Sequence, residues 1–346
     1  MSRVQSVLKT FSFFSSAKEP VFFDMGSTTT RVMHGGKLII EEPTCITTHR
    51  ETKSVVAIGA KAVSLLGKVS NKFDVVFPVR DGTIISDSLC RAFLEALLEK
   101  IETETISKLL GFAAVVVVPT NLSPVQKTVY EDVFSKAGFR SVTLVSQAQA
   151  LLTGLGDSGK NESFCYFDLG GQKSECSIFT LDENIESRQF RIGGVHLTEL
   201  VQREVRLQHN LEISWHIAEK VKIEACTLAT FIPGGKRIKA TKIAVRGKDV
   251  VTQAGKTVVV SSDDFTQAFS SVVEELLDEL QFFFSVVPAH LVAATLESGL
   301  FITGGMSEMA GVRELIENTF SAPVKMSTKP RLDSIKGLAQ KVAKDA

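Results

Sequence analysis

Asp24-Met25-Gly26-Ser27-Thr28-Thr29-Thr30 occurs near the start of the chain, and Asp168-Leu169-Gly170-Gly171-Gln172-Lys173-Ser174 repeats its pattern in the middle. Each stretch follows a short apolar run, residues 21–23 and 164–167, and leads into another strand pattern near Arg31 or Ser177. Each therefore reads as strand, Asp-x-Gly turn rich in small or hydroxyl residues, strand. Glycine lets the backbone approach a ligand closely, and successive N–H groups with hydroxyls make a concave anion site. An aspartate at the strand end can hold a hydrated Mg²⁺ against the same phosphates. One Asp-x-Gly is an ordinary turn signal. Two in matching contexts predict a duplicated phosphate-binding device, one copy per domain, closing on one polyphosphate.

A third element has the same flavour. Gly299-Leu300-Phe301-Ile302-Thr303-Gly304-Gly305-Met306-Ser307 is an apolar strand ending in two glycines, against which a planar base or sugar can lie. The alternative is a plain strand-to-helix turn. Further apolar runs at 113–118, 177–181 and 300–302 lack polar alternation, as strands covered on both faces do. Between them lie helical stripes, one through Leu89, Phe93, Leu97 and Ile101. A longer one runs from Phe265 to Leu280, with Ser262 and Asp263 as cap candidates and Pro288 beyond its end. The fold class is α/β.

At 346 residues, two domains are expected. Lys plus Arg (39) equal Asp plus Glu (39), which gives no global attraction to nucleic acid. Five scattered cysteines without a CxxC pair fit neither a disulfide framework nor a zinc site and suit a reduced cytosol. No apolar run is long enough to span a bilayer, and nothing resembles a secretory leader.

With these motifs in order, the chain resembles the MreB family of bacterial actin homologues over nearly its whole length. Residues 24–30 and 168–175 are similar to that family's two phosphate loops. Glu42-Pro43-Thr44 with Lys53-Ser54-Val55-Val56-Ala57-Ile58-Gly59, and Pro78-Val79-Arg80-Asp81-Gly82-Thr83-Ile84, resemble its EPS…SVVAVG and P-x-x-D-G-V-I segments. Arg191-Ile192-Gly193-Gly194, Ala218-Glu219-Lys220-Val221-Lys222 and Thr303-Gly304-Gly305 resemble its RIGG turn, AERIK helix and adenosine motif.

The resemblance implies an actin-like fold: two related α/β domains, each with a subdomain, around a nucleotide cleft. Domain I is expected at 1–155 plus 323–346, with 42–88 its small subdomain; domain II is expected at 156–322, with 222–262 its small subdomain. ATP, or GTP, with Mg²⁺ is the implied cofactor. Asp24 and Asp168 would organise the metal, and Gly26, Ser27, Thr28, Thr29, Gly170, Gly171 and Gln172 would face the phosphates. Glu219 and Lys222 would sit near ribose and base, Glu219 having the alternative of a solvated helix residue. Gly304, Gly305 and Met306 would line the adenine. The implied function is a cytoplasmic, filament-forming cytoskeletal protein that partners itself and other cell-shape or positioning proteins.

The departures concern hydrolysis. Val145-Ser146-Gln147-Ala148-Gln149-Ala150 replaces the family's Glu-Glu-Pro segment. Gln147 can orient a water but cannot take its proton, so with Asp168 it forms the candidate catalytic pair of a slow ATPase. Gln172 and Lys173 stand where the family has Gly and Thr; Lys173 either stabilises phosphate charge or crowds it. Arg31 is a basic residue where the family usually has none, and Val195 follows the RIGG turn in place of Asp.

Two other segments carry readings of their own. Residues 154–160 match half of a P-loop, but Asn161 stands where Ser or Thr is needed, so a surface loop is expected. Val4, Val7, Leu8, Phe11 and Phe14 share one helical face with Arg3 and Lys9 nearby; residues 3–14 suit an interfacial helix on an anionic membrane, at the inner face of the cell membrane. The alternative is packing on their own domain. Leu109-Leu110-Gly111-Phe112 is a second candidate membrane loop. Other readings are an organelle- or plasmid-positioning filament of the MamK or ParM kind, a non-hydrolysing scaffold, and a monomeric phosphotransferase.

Overall fold

The computed structural model describes residues 20–65, 72–104, 111–155, 163–181, 183–235 and 238–345. Contacts divide the chain into two compact units, Met1–Asn161 with Phe179–Ser187 and Leu332–Ala346, and Glu162–Ile178 with Arg188–Arg331.

In the first unit the strands are β1 (Val21–Met25), β2 (Thr29–His34), β3 (Lys37–Pro43), β4 (Ile46–His49), β5 (Val55–Ile58), β6 (Phe73–Val76), β7 (Val79–Arg80), β8 (Thr83–Ile84), β9 (Ala113–Val118) and β10 (Ser141–Ser146). Its helices are α1 (Gly59–Leu65), α2 (Asp87–Glu104), α3 (Pro124–Lys136) and α4 (Gln147–Leu155). The main sheet has the order β10-β9-β1-β2-β3, with β1, β9 and β10 parallel and β1-β2-β3 antiparallel. A small antiparallel sheet, β5-β4-β6, stands beside it in sequence.

The remaining strands are β11 (Ser163–Leu169), β12 (Ser174–Thr180), β13 (Glu183–Phe190), β14 (Leu211–Glu212), β15 (Lys242–Asp249), β16 (Gly255–Ser261), β17 (Leu300–Thr303) and β18 (Val324–Lys325). The helices are α5 (Gly194–His209), α6 (Trp215–Ala225), α7 (Thr266–Val286), α8 (Ala289–Ser298), α9 (Val312–Phe320) and α10 (Asp333–Asp345), the last belonging to the first unit. The main sheet here runs β13-β12-β11-β17-β18, with β11, β17 and β18 parallel. Its order repeats that of the first sheet: three sequential strands, then two parallel ones reached by crossovers. The duplicated turn is thus one part of a duplicated sheet.

The unbroken apolar runs follow from burial on both faces. Along β1, Val21, Phe23 and Met25 pack with Phe93, Leu94 and Leu97 of α2 and with Phe134 of α3. Phe22 points the other way, with Val115 and Val117, onto Ile335, Leu338 and Ala339 of α10. Phe23 meets Phe134 and Phe139 edge-on, both at 5.2 Å between ring centres. Each such fully buried ring contributes about 2–3 kcal/mol. On α7, Phe269, Val273, Leu276, Leu280 and Phe283 form the buried stripe. The cap lies one residue earlier than Ser262: Ser261 and Asp264 close a reciprocal box over a short 3-10 turn that precedes the helix, because the serine following β16 already has the extended backbone a cap needs.

Gly154 belongs to α4 and does not open a loop, while residues 156–160 lie outside the described part. Phe112 is 2% exposed and sits edge-on to His34, so it is not available to a membrane; Leu109, Leu110 and the whole of residues 3–14 lie outside the described residues. No helix among the described residues is long and apolar enough to cross a membrane. All five cysteines are free and buried. Burial raises the thiols of Cys45, Cys90 and Cys226 to about 12, which keeps them inert at neutral pH.

Candidate functional site: two matched turns

The first turn leaves β1 at its carboxyl end, the edge at which open α/β sheets bind ligands. Gly26 N donates to Thr29 O at 3.2 Å, and a Cβ on Gly26 would lie 2.8 Å from that oxygen. The second turn closes the same way: Gly170 N donates to Lys173 O at 3.1 Å, and a Cβ on Gly170 would overlap that oxygen. Both aspartates therefore precede a turn whose tightness requires glycine.

Buried hydroxyls hold the first turn. Thr44 donates through Oγ1 to Gly26 O at 2.7 Å, its N–H donates to Thr28 O at 3.0 Å, and its hydroxyl lies 2.8 Å from that of Thr30. Ser27 Oγ accepts from Gly82 N at 3.0 Å, and Gly82 O accepts from Tyr130 at 3.0 Å. Burial pushes the Tyr130 phenol well up, with Cys90 and Asp24 adding to it, so it remains a donor. Thr28 and Thr29 are half-buried. Replacing Thr44 with Val keeps the shape and strands the Gly26 carbonyl. The expected loss is about 1–2 kcal/mol in urea unfolding, with Ser restoring most of it; equal stability of the Val variant would show that the turn does not depend on this hydroxyl.

Asp24 does not stand alone. Arg31, its cross-strand neighbour on β2, approaches it with Nη1 at 3.4 Å, while Arg31 Nε donates to Glu41 on β3 at 3.0 Å. The guanidinium is 13% exposed between the two carboxylates. Gln147 opens α4 directly after β10, two strands from β1 in the same sheet. Its Nε2 donates to Ser334 of α10 at 2.6 Å, which holds the side chain on that helix.

In the second unit the N-terminus of α5 fastens the turn. Gly194 N and Val195 N donate to the carbonyls of Gly170 and Gly171 at 3.1 and 2.8 Å. A Cβ on Gly193 would stand 2.7 Å from Gly170 O, so the crossing admits no side chain. Asp168 pairs in register with Thr303 of β17, and Gly304, with φ +86°, lies directly on it: a Cβ there would overlap Asp168 Oδ1 and come within 2.5 Å of Leu169 O. Pro330 O fixes this corner, accepting from Thr303 Oγ1 at 2.7 Å and Gly304 N at 3.3 Å. Gly305 instead has open space where a side chain would begin, and Met306 is buried.

Lys222 lies against Gly194 and spends its donors within the protein, on Gly194 O at 2.9 Å, Thr198 Oγ1 at 3.0 Å and Glu219 Oε2 at 2.7 Å. Thr198 also donates to Glu219. Glu219 is thus an anchored, partly buried carboxylate. Through these contacts Asp168, Gly170, Gly171, Gly304, Met306, Glu219 and Lys222 form one continuous patch, with Gln172 and Gly305 on its turns. Asp24, residues 26–29 and Gln147 share one end of the first sheet.

Among the described residues no group of three or more His, Cys, Asp or Glu could hold a metal. The donor set suits a cation held mostly by water and phosphate, the habit of Mg²⁺, and does not suit an all-protein cage. The tight glycine turns, with open space beside Gly305 where a side chain would begin, leave room for a phosphate ester with its hydrated cation. Thr44, Gly193 and Pro330 emerge as supports of the turns. The first two fall inside stretches already singled out, but their partners are 14 to 23 residues away, beyond any local pattern.

These features define a duplicated α/β protein with a tight glycine turn after a strand-end aspartate in each half. The family model described as MreB/Mbl protein matches residues 18–346, so the chain belongs to that family. It is 21% identical over 309 residues to the cell shape-determining protein Mbl of Bacillus cereus, covering 89% of this chain and 90% of that one. It is 22% identical over 313 residues to MreB of Escherichia coli K12, covering 89% and 88%. Among solved structures it is similar to MreB 5 of Spiroplasma citri bound to AMPPNP (TM-score 0.82, 19% identity, 93% and 95% covered). It is also similar to the MamK double helical filament (TM-score 0.72, 17% identity, 93% and 98% covered). The fold is actin-like.

Proposed function

We propose that this chain is a nucleotide-binding, filament-forming member of the bacterial actin-like cytoskeleton, cytoplasmic and acting in cell shape or organisation. The observation that carries the reading is the pair of identical turn closures, Gly26 N to Thr29 O and Gly170 N to Lys173 O, each directly after a strand-end aspartate. That a relative in this family was solved with AMPPNP, and a protein of the same fold as a double helical filament, supports nucleotide binding and self-association.

In this reading residues 27–29, 171 and 172 offer N–H groups and hydroxyls to phosphate oxygens, while Gly26 and Gly170 close the turns beneath them. Asp24 and Asp168 orient the water shell of Mg²⁺, which when bound neutralises phosphate charge. Gly304, Gly305 and Met306 back the base, with Glu219 toward the sugar. Arg31 supplies a fixed positive charge beside Asp24.

Hydrolysis is slow because no carboxylate occupies the position of Gln147, whose Nε2 is engaged by Ser334. Turnover is expected well under about 1 s⁻¹, below the range of kinases. This same observation favours the second reading, a scaffold that binds nucleotide without using it. Membrane contact through residues 3–14 is part of the proposal.

Sedimentation and electron microscopy with ATP, ADP and a non-hydrolysable analogue test it. Filaments are expected with ATP and the analogue, and equal persistence with both would mark the scaffold. No filaments with any nucleotide, together with rapid phosphate release, would sink the cytoskeletal reading. Deleting residues 1–15 is expected to abolish binding to anionic liposomes; unchanged binding would rule that segment out as the anchor.

A further inference from the structure

The patch of the second unit holds two ammonium groups in opposite states. Lys222 has its three donors spent, as described above. Lys173, the residue that closes the second turn, has a buried Nζ with no hydrogen-bond partner. Its nearest counter-charge is Glu175 Oε2 at 3.5 Å, an ion pair without a hydrogen bond. Glu175 is itself buried and engaged: its side chain is 0% exposed, Oε1 accepts from Tyr166 at 2.9 Å and Oε2 from Gln189 at 2.7 Å. Lys173 and Glu175 alternate onto one face of the sheet, the face that also carries Tyr166 and Asp168.

An ammonium withdrawn from water with its donors unspent is costly, and an anionic oxygen relieves that cost. The turn it closes has its own carbonyls tied to α5 by the N–H groups of Gly194 and Val195, so those oxygens are committed elsewhere. We infer that Lys173 is a specificity-determining residue of the second turn: its ammonium takes a phosphate oxygen of the bound nucleotide and favours the triphosphate over the diphosphate. The preference follows from charge, since a fixed cation gains more from the ligand carrying the additional phosphate. This rests on the nucleotide reading above.

The test is the affinity of the full chain for ATP and for ADP, with Mg²⁺, measured by calorimetry on the wild type, Lys173→Met and Lys173→Arg. Lys173→Met is expected to lose about tenfold to a hundredfold for ATP, the effect of one charge-assisted hydrogen bond, and less than about threefold for ADP. Lys173→Arg should keep the preference. Should Lys173→Met fold poorly because Glu175 loses its counter-charge, the charge-balanced Lys173→Met/Glu175→Gln variant carries the measurement. Equal losses for both nucleotides, or none, would overturn this inference while leaving the nucleotide reading intact. A wild type that binds neither nucleotide would overturn both. Inorganic phosphate competing as well as ATP would also overturn it, making the turn a site for free anion.

Discussion

Gly304→Ala is expected to lower stability by about 3 kcal/mol and to remove measurable nucleotide binding. At φ +86° and ψ 164° the backbone occupies a region open almost only to glycine, and an added methyl would overlap the carboxylate of Asp168 and the carbonyl of Leu169. Relief requires moving either the corner held by Pro330 or the aspartate itself, and either motion displaces the second turn. Gly305→Ala is the control, because open space surrounds its missing side chain and its φ is not positive. Urea unfolding of both variants, with the nucleotide affinity of Gly304→Ala alongside, separates the cases, Gly305→Ala serving as the control for stability alone because Gly305 is itself proposed to back the base. Similar behaviour of the two would show that the contact between Gly304 and Asp168 does not govern the corner.

Lys222→Met is expected to be nearly as damaging, at about 2–3 kcal/mol. It leaves Gly194 O without its ammonium donor and Glu219 without its counter-charge, between α5 and α6. Because Glu219 remains 26% exposed, solvent recovers part of the loss. The double variant Lys222→Met/Glu219→Gln should recover more than half of it, since the stranded charge is then gone. A double variant no better than the single one, in the same unfolding measurement, would mean that Lys222 acts by filling space and not by charge.

What could be read from the sequence divides by the range of the interaction. The two Asp-x-Gly turns, the strands before them and the helical stripes depend on neighbours within a few residues, and they stand where the patterns placed them. Sheet order was accessible only through the resemblance, because β1 pairs with β9 across some ninety residues of chain. Partners of the site residues were not legible. Nothing local to Gln147 points to Ser334, 187 positions away, and nothing near Arg31 reports that Asp24 and Glu41 flank it across three strands. Lys173 is conspicuous as a bulky residue in a turn of small ones, but its unspent donors emerge only when its Nζ is seen buried beside Glu175 without a hydrogen bond.

The crossing of α4 and α10 is made backbone to backbone: a Cβ on Gly154 would lie 2.9 Å from the Cα of Gly337. Helices that touch without side chains between them have little slack to absorb a displacement, and the bond from Gln147 to Ser334 ties the start of α4 to the same partner. Loading α10, whether with a fused fluorescent protein or with a binding protein in the cell, would therefore pull on Gln147 and the start of α4. For this chain, a label attached after α10 loads that crossing, and a silent reporter belongs elsewhere, such as the exposed hairpin tip at Val251.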